Sequence, residues 1–472
     1  MFYYIIACCL TSNIKKVSVR MAKLEKDLTE GSVVSQLLRF ALPFMLSNLI
    51  QSLYNVADMF IVGQFNGSTG ISAVNSGGQV TFIATNIVVG LCAGATVIIA
   101  QHMGTGNKKA IKETISTLIL SLLAVGVVLM GVMFLLSTQI LHWINTPADA
   151  FQGAREYLDI TIAGTLFIFG YNALSAIMRG MGDSKTPLIF VAIACFVNIG
   201  LDLLLVGYFN MGARGAALAT IIAQAISVIL CIIYLKKNDF AFDFKLSSFT
   251  FHKDRLSVLL QIGIPTSVQN VITNFSFLVL TALVNSYGTS ASAALGVVGK
   301  FNGFAILPAI AMSASISAMV AQNIGAGMYD RAKHTMRIGT VIGFAISLII
   351  FVFAQLFPEE ILRFFNDEDP QMIIDGVEYM RSFSFDYIFA PLFFGFVGLI
   401  TGAGHTKFSL VSNMLSALVL RIPIALLFGS ALGLGLFGIG LGGPIASLGS
   451  LILAVWYYKS GRWMQTTVIT EK

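Results

Sequence analysis

Apolar residues run in twelve long blocks between Leu37 and Tyr458, separated by short polar interruptions. The blocks lie at roughly 36–63, 71–100, 114–138, 157–179, 187–209, 214–235, 257–287, 293–321, 336–357, 377–400, 408–430 and 434–458. Most reach about 20 residues, the length at which an α-helix crosses a hydrocarbon core. The pattern predicts an all-α integral membrane protein with twelve transmembrane helices. No interruption is long enough for a separate soluble domain.

The blocks also repeat. Ala100-Gln101-His102-Met103-Gly104-Thr105-Gly106 returns as Ala321-Gln322-Asn323-Ile324-Gly325-Ala326-Gly327, 221 residues later. Pro43 returns as Pro265, Glu156-Tyr157 as Glu378-Tyr379, and Gly180-Met181-Gly182-Asp183-Ser184-Lys185 as Gly402-Ala403-Gly404-His405-Thr406-Lys407, each at 222. A constant offset means two homologous halves. Six blocks per half is an even number, so both halves start from the same side and the repeats are parallel. The reading is a 1–35 N-terminal segment, an N-lobe at 36–235 (helices 1–6), a linker at 236–256, a C-lobe at 257–458 (helices 7–12) and a 459–472 tail.

Composition agrees. The chain is 56% hydrophobic and 11% charged, with a mean hydropathy of +0.83, where soluble domains carry about 25% charged residues. Most of the 29 Lys and Arg fall before helix 1, after helix 12 or in loops on that same side. Arg155, Arg214, Lys300, Arg363, Arg381 and Arg421 lie opposite or inside spans. The positive-inside rule then makes both termini cytoplasmic in an inner membrane. The net charge of +6 reflects this topology, not a nucleic-acid partner. Five cysteines show no metal spacing; Cys92, Cys195 and Cys231 read as packing residues. Residues 2–10 are apolar but too short to span, and Met21 reads as an alternative start.

Three acids, Asp58, Asp202 and Asp386, fall well inside apolar blocks. Such a carboxylate costs roughly 2.5–3.5 kcal/mol at a helix centre, so it marks function by default. Asp58 ends a stripe, Asn48, Gln51, Asn55, Asp58, whose steps keep one helical face and suggest a polar cavity wall. Helices 1 and 5 both run outward, which puts Asp58 and Asp202 at one depth in the outer half, with Asn198 one turn below Asp202. Two carboxylates in a poorly hydrated place cannot both ionise cheaply and should titrate as a unit, a proton-binding device. Asp386 and Arg421 fall at similar depth in the C-lobe and read as a buried pair, either a structural lock or a pair opened during transport. Lys300 either snorkels to the outer interface or lines the cavity.

Leu42-Pro43, Tyr54-Asn55-Val56-Ala57-Asp58 and Phe60-Ile61-Val62-Gly63 resemble the first helix of multidrug and toxic compound extrusion (MATE) transporters. Arg179-Gly180-Met181-Gly182-Asp183-Ser184-Lys185-Thr186-Pro187 matches that family's loop between helices 4 and 5. Asn198-Ile199-Gly200-Leu201-Asp202 is similar to helix 5 of its prokaryotic, DNA-damage-inducible (DinF-like) branch. The resemblance covers about 33–460. It implies a secondary antiporter, not an enzyme, with no cofactor and with H⁺ or Na⁺ as coupling ion. The site it implies is Tyr54, Asp58, Asn198, Asp202 and Thr220, with Na⁺ at Asp58, Asn198 and Asp202 if sodium is used, and with Pro43 as a bending point in helix 1. Expected substrates are amphipathic organic cations, and the expected form is a monomer in the lipid bilayer. Helix 7 carries Gln269, Asn270, Thr273 and Asn274 but no acid, against a second cation site there. The runner-up is a lipid-linked precursor flippase of the same superfamily. A membrane enzyme would need a His/Glu or Cys/His cluster inside the spans; a channel would expect a selectivity ring.

Overall fold

A computed structural model describes residues 26–238, 240–365, 369–465 and residue 468. The apolar stretch at 2–10, Cys8, Cys9 and Met21 lie outside the described residues. The first helical run spans Val33–Thr105, 73 residues, which would be about 110 Å long as a straight rod at 1.5 Å per residue. It is broken at Gly67, with φ 63° and ψ −159°, backbone geometry that only glycine adopts readily. It is therefore two helices, α1 (33–66) and α2 (68–105). The others are α3 (Lys108–Trp143), α4 (Phe151–Ala163 and Thr165–Gly180), α5 (Lys185–Tyr208), α6 (Gly212–Lys237), α7 (Lys253–Asn285), α8 (Thr289–Gly325), α9 (Tyr329–Leu356), α10 (Pro370–Phe383 and Asp386–Gly402), α11 (Thr406–Ala431) and α12 (Gly435–Lys459). The twelve expected helices are all present. Several outrun their apolar blocks, because hydropathy marks the part in lipid and not the helix end. α3, for example, starts at Lys108, where the Asn107 side chain accepts a hydrogen bond from Ala110 N at 3.0 Å and caps the helix.

The repeat is visible in the irregularities. α4 bends by 52° at Gly164 and α10 by 41° just before Asp386, equivalent positions at the 222 offset. A π-helical stretch at Leu203–Tyr208 in α5 has its counterpart at Leu426–Ala431 in α11.

Packing crosses the lobe boundary at the end of the bundle that carries the termini. There Val33, Leu37 and Ala41 of α1 pack with Met312 and Ile316 of α8 and Phe393 of α10, a C-lobe core. Reciprocally, Leu259 and Ile262 of α7 pack with Val88 and Ala95 of α2 and Phe169 of α4. Further along, Ile61 and Val62 of α1 join an N-lobe core, and Leu280 and Val284 of α7 a C-lobe core. Each first helix thus leaves one core and enters another, and Pro43 and Pro265 sit at the crossing. The proline removes an amide and frees the carbonyl four residues back. The Ser184 hydroxyl donates to the Arg39 carbonyl at 3.5 Å, and the Thr406 hydroxyl to the Gln261 carbonyl at 3.3 Å, the same device in both halves.

The lobes meet backbone to backbone at this end. A Cβ on Gly104 would fall inside the Gln322 carbonyl oxygen, and one on Gly325 inside that of Gln101. The Gln101 amide donates to the Gly402 carbonyl at 2.9 Å. Gln322 Oε1 accepts from Leu28 N at 2.9 Å, while Lys26 donates from its backbone to Met181 O at 3.0 Å and pairs with Asp183 at 2.9 Å. Toward the other end, Gly78 of α2 and Gly296, Gly299 and Gly303 of α8 border open space. The linker is less polar in place than in sequence: Phe242 is buried against Phe244 and Phe249, and Thr250 exchanges two 2.7 Å hydrogen bonds with the Ser116 hydroxyl of α3.

Candidate cation-binding site

α1, α5 and α6 bring four of the expected side chains together, with Tyr54 beside them. Asp58 is buried on α1, Asn198 and Asp202 are buried on α5, and Thr220 is half-buried on α6. The Asn198 amide donates to the Thr220 hydroxyl at 3.4 Å, and that hydroxyl donates onward to Asp58 Oδ2 at 3.5 Å. The Asp58 and Asp202 carboxyls are near enough to act on one another electrostatically. Asp58 Oδ1, Asn198 Oδ1 and both oxygens of Asp202 are buried without a donor. Buried acceptors normally find a partner, and adjacent buried carboxylates need a positive charge or a proton between them. The donor set is hard oxygen throughout and fits Na⁺ or H⁺. Among the described residues no cluster of three or more His, Cys, Asp and Glu could hold a metal ion, so a transition-metal site has no support. A cavity of about 10 Å³ lies alongside, lined by Tyr54, Cys195, Asn198, Thr220 and Gln224 among others, room for about one water.

The C-lobe pair is placed differently from the expectation. Asp386 and Arg421 are both buried, but no ion pair joins them. Arg421 Nη1 donates to the Ser276 hydroxyl at 2.8 Å, and its Cζ lies 4.5 Å from the centre of the Phe277 ring. Asp386 Oδ1 and Arg421 Nε have no hydrogen-bond partner. Asp386 instead opens the second half of α10, in its first turn, where the helix dipole favours a carboxylate. Arg421 closes a π-helical turn at Leu415–Arg421. The extra residue in that turn re-aims the side chain toward α7.

The family model MatE matches residues 43–204 and again 265–427. The chain belongs to the MatE family. The two matches begin 222 residues apart, the offset of the internal repeat. The MatE chain is 31% identical over 450 residues to the probable multidrug resistance protein YpnP of Bacillus subtilis (strain 168), covering 94% of this chain and 99% of that one. It is 26% identical to the probable multidrug resistance protein NorM of Thermotoga maritima, covering 93% and 94%. Its fold matches a solved structure described as the outward-facing conformation of a multidrug resistance MATE family transporter, with a TM-score of 0.86, 22% identity and coverage of 93% and 98%. This MatE chain is a multi-pass membrane transporter, not an enzyme.

The expected polar stripe on α1 divides in this MatE fold. Asp58 turns into the site. Asn48 donates to the Phe44 carbonyl of its own helix at 2.8 Å, next to the Ser47 hydroxyl bond to the Pro43 carbonyl at 2.8 Å, so both serve the bend. Gln51 is half-buried and Asn55 is exposed. Lys300 is exposed on α8, near the open glycine face. Cys195, read as packing, lines the cavity. Sequence reasoning missed Tyr157 as a site residue. It is buried on α4, within electrostatic range of Asp58 and Asp202, and Gly77 of α2 leaves the space its ring fills. Its only sequence signal was the Glu-Tyr dipeptide shared by the halves.

Proposed function

We propose that this transporter is a secondary antiporter that expels amphipathic organic cations in exchange for H⁺ or Na⁺ by alternating access. The observation that carries the reading is the group of unpartnered acceptor oxygens on Asp58, Asn198 and Asp202 around Thr220. A proton or Na⁺ arriving there neutralises the carboxyls and couples α1 to α5 and α6. A departing ion leaves repulsion that favours another arrangement. Such coupling is a difference in affinity between two states. Pro43 lets α1 bend where it passes from one core to the other. Exposed Phe60 and Met59 on α1, Phe82 on α2, Phe275 on α7 and Phe304 on α8 supply adaptable apolar surface for varied drugs. Both repeats lie in one chain, so a monomer holds a complete cleft. The positive-inside bias argues for cytoplasmic termini in an inner membrane. The family resemblance and the names of the relatives support drug export.

The test is dye efflux in inverted vesicles, energised separately by a pH gradient and by a sodium gradient. Asp58→Asn should fold, insert and bind dye yet lose active efflux under whichever gradient drives the wild type. A variant that pumps at the wild-type rate would move the coupling site elsewhere.

A further inference from the structure

We propose that Arg421 is a cation built into the C-lobe, its guanidinium holding the place that a bound cation holds in the N-lobe, so that this lobe needs no ion from solution. The inference rests on the reading of the N-lobe cluster as a cation site. The internal offset of 222, fixed on α1 and α7 by Pro43 and Pro265, carries Tyr54 onto Ser276 and Asn55 onto Phe277. Those two C-lobe counterparts are the groups that hold the guanidinium: the Ser276 hydroxyl accepts from Nη1 at 2.8 Å and the Phe277 ring lies 4.5 Å under Cζ. A cation over an aromatic face and against a hydroxyl lone pair is stabilised without a carboxylate contact, although its Nε has no hydrogen-bond partner.

The surroundings agree. The one acid of α7 is Asp254, in its first turn, more than 20 residues before Ser276; Gln269 and Thr273 are engaged with Asn413 of α11. Among the described residues Asp386 is the carboxylate whose charge acts on Arg421, and one of its oxygens is unpartnered. The N-lobe cluster holds acids and no cation. The C-lobe cluster holds one acid and its own cation, and so is neutral as built. The π-helical turn Leu415–Arg421 widens α11 where the side chain must reach inward, a distortion that often marks a functional position. Removing the side chain would leave a buried carboxylate and a guanidinium-shaped space, which a small free cation should fill.

Purified Arg421→Ala in detergent should unfold at a lower temperature than the wild type. Low millimolar ethylguanidinium chloride should restore most of the lost degrees in a saturable way, whereas potassium chloride at equal ionic strength should not. The wild type should gain nothing, and Arg421→Ala combined with Asp386→Asn should lose the rescue. No saturable gain in Arg421→Ala, or an equal gain in the wild type or the double variant, overturns the proposal. If Arg421→Ala is not obtained folded, Arg421→Lys and Arg421→Met decide: lysine should keep the wild-type unfolding temperature and methionine lose it, and equal behaviour of the two overturns the idea. None of these readouts requires transport, and the rescue should persist on an Asp58→Asn background. A failed N-lobe assignment is therefore distinguishable from a failed C-lobe one.

Discussion

Replacing Gly325 with alanine should drive apart the end of the bundle that carries the termini. A Cβ there would penetrate the Gln101 carbonyl oxygen and stand 2.8 Å from the Gln101 carbonyl carbon and 3.0 Å from its Cα. All three are backbone atoms, so no rotamer change relieves the clash. Ordinary carbon contacts lie near 3.5–4.0 Å, so α2 and α8 must separate by about 1 Å. Overpacking of this kind costs about 1–3 kcal/mol. The cost falls on the closed arrangement alone, because the contact does not exist once the lobes part. A bias of about 1–3 kcal/mol shifts a two-state population by about 5- to 150-fold. Gly104→Ala has the same sign, since its Cβ would meet the Gln322 carbonyl and stand 2.8 Å from Ala326 N. The two changes relieve one another's clash and should add to less than their sum. Spin labels at positions 109 and 328, in a chain whose native cysteines are replaced by serine, would report the separation by pulsed electron resonance. Both variants should enlarge the long-distance population and slow efflux. An unchanged distance distribution in both, with wild-type efflux, would refute the reasoning.

Asp202→Asn should flatten the pH response of transport, because Asp58 then no longer faces a neighbouring negative charge; a wild-type pH profile would mean that the acids act separately. Pro43→Ala should slow exchange more than it weakens dye binding, and Ser184→Ala should do so more mildly, since it strands one carbonyl whose bond is already long at 3.5 Å and contributes about 1 kcal/mol or less. Affinity losses proportional to the rate losses would remove the hinge. His405 accepts the Tyr457 hydroxyl on Nδ1 at 2.9 Å and donates Nε2–H to the Gln465 carbonyl at 2.7 Å, a neutral ring, and burial lowers its pKa from the ordinary value. Above about pH 6.5 neither folded nor unfolded ring is charged; below it the unfolded chain takes a proton that the folded ring resists, so stability falls with pH. The wild-type unfolding temperature should therefore drop faster on acidification than that of His405→Gln; parallel curves would sink the idea.

The twelve helices, the repeat and the pairing of Asp58 with Asp202 were legible because they rest on local quantities: block length, offset and the cost of a charge in an apolar run. Asn198 and Thr220 came through the family resemblance. Azimuth was not legible. Span directions pair Asp386 with Arg421, but a π-helical turn aims the arginine at Ser276, and no periodicity announces such a turn. Nor does any local pattern reveal that Leu37 packs in a C-lobe core and Leu259 against N-lobe helices, since that depends on how the halves cross. Tyr157 was hidden for a similar reason: its ring packs against Gly77 of α2, a contact between helices that no local pattern announces.

The stitching of Lys26 and Leu28 has a consequence for how the chain is made. Lys26 meets Met181 and Asp183, while Leu28 meets Gln322 and Asn323. These partners leave the ribosome some 150 and nearly 300 residues after Lys26 and Leu28 themselves, as the sequence separations of 157 and 294 show. The first six helices are thus already in the bilayer before the second set of contacts can form. At the ribosome's pace of roughly 5–20 residues per second, the leading segment waits many seconds for its later partners. During that wait the first turns of α1 have no C-lobe core to enter. A shortened chain ending before α8 should therefore expose Leu28 and Val33 to proteolysis, and completion of the full chain should protect them.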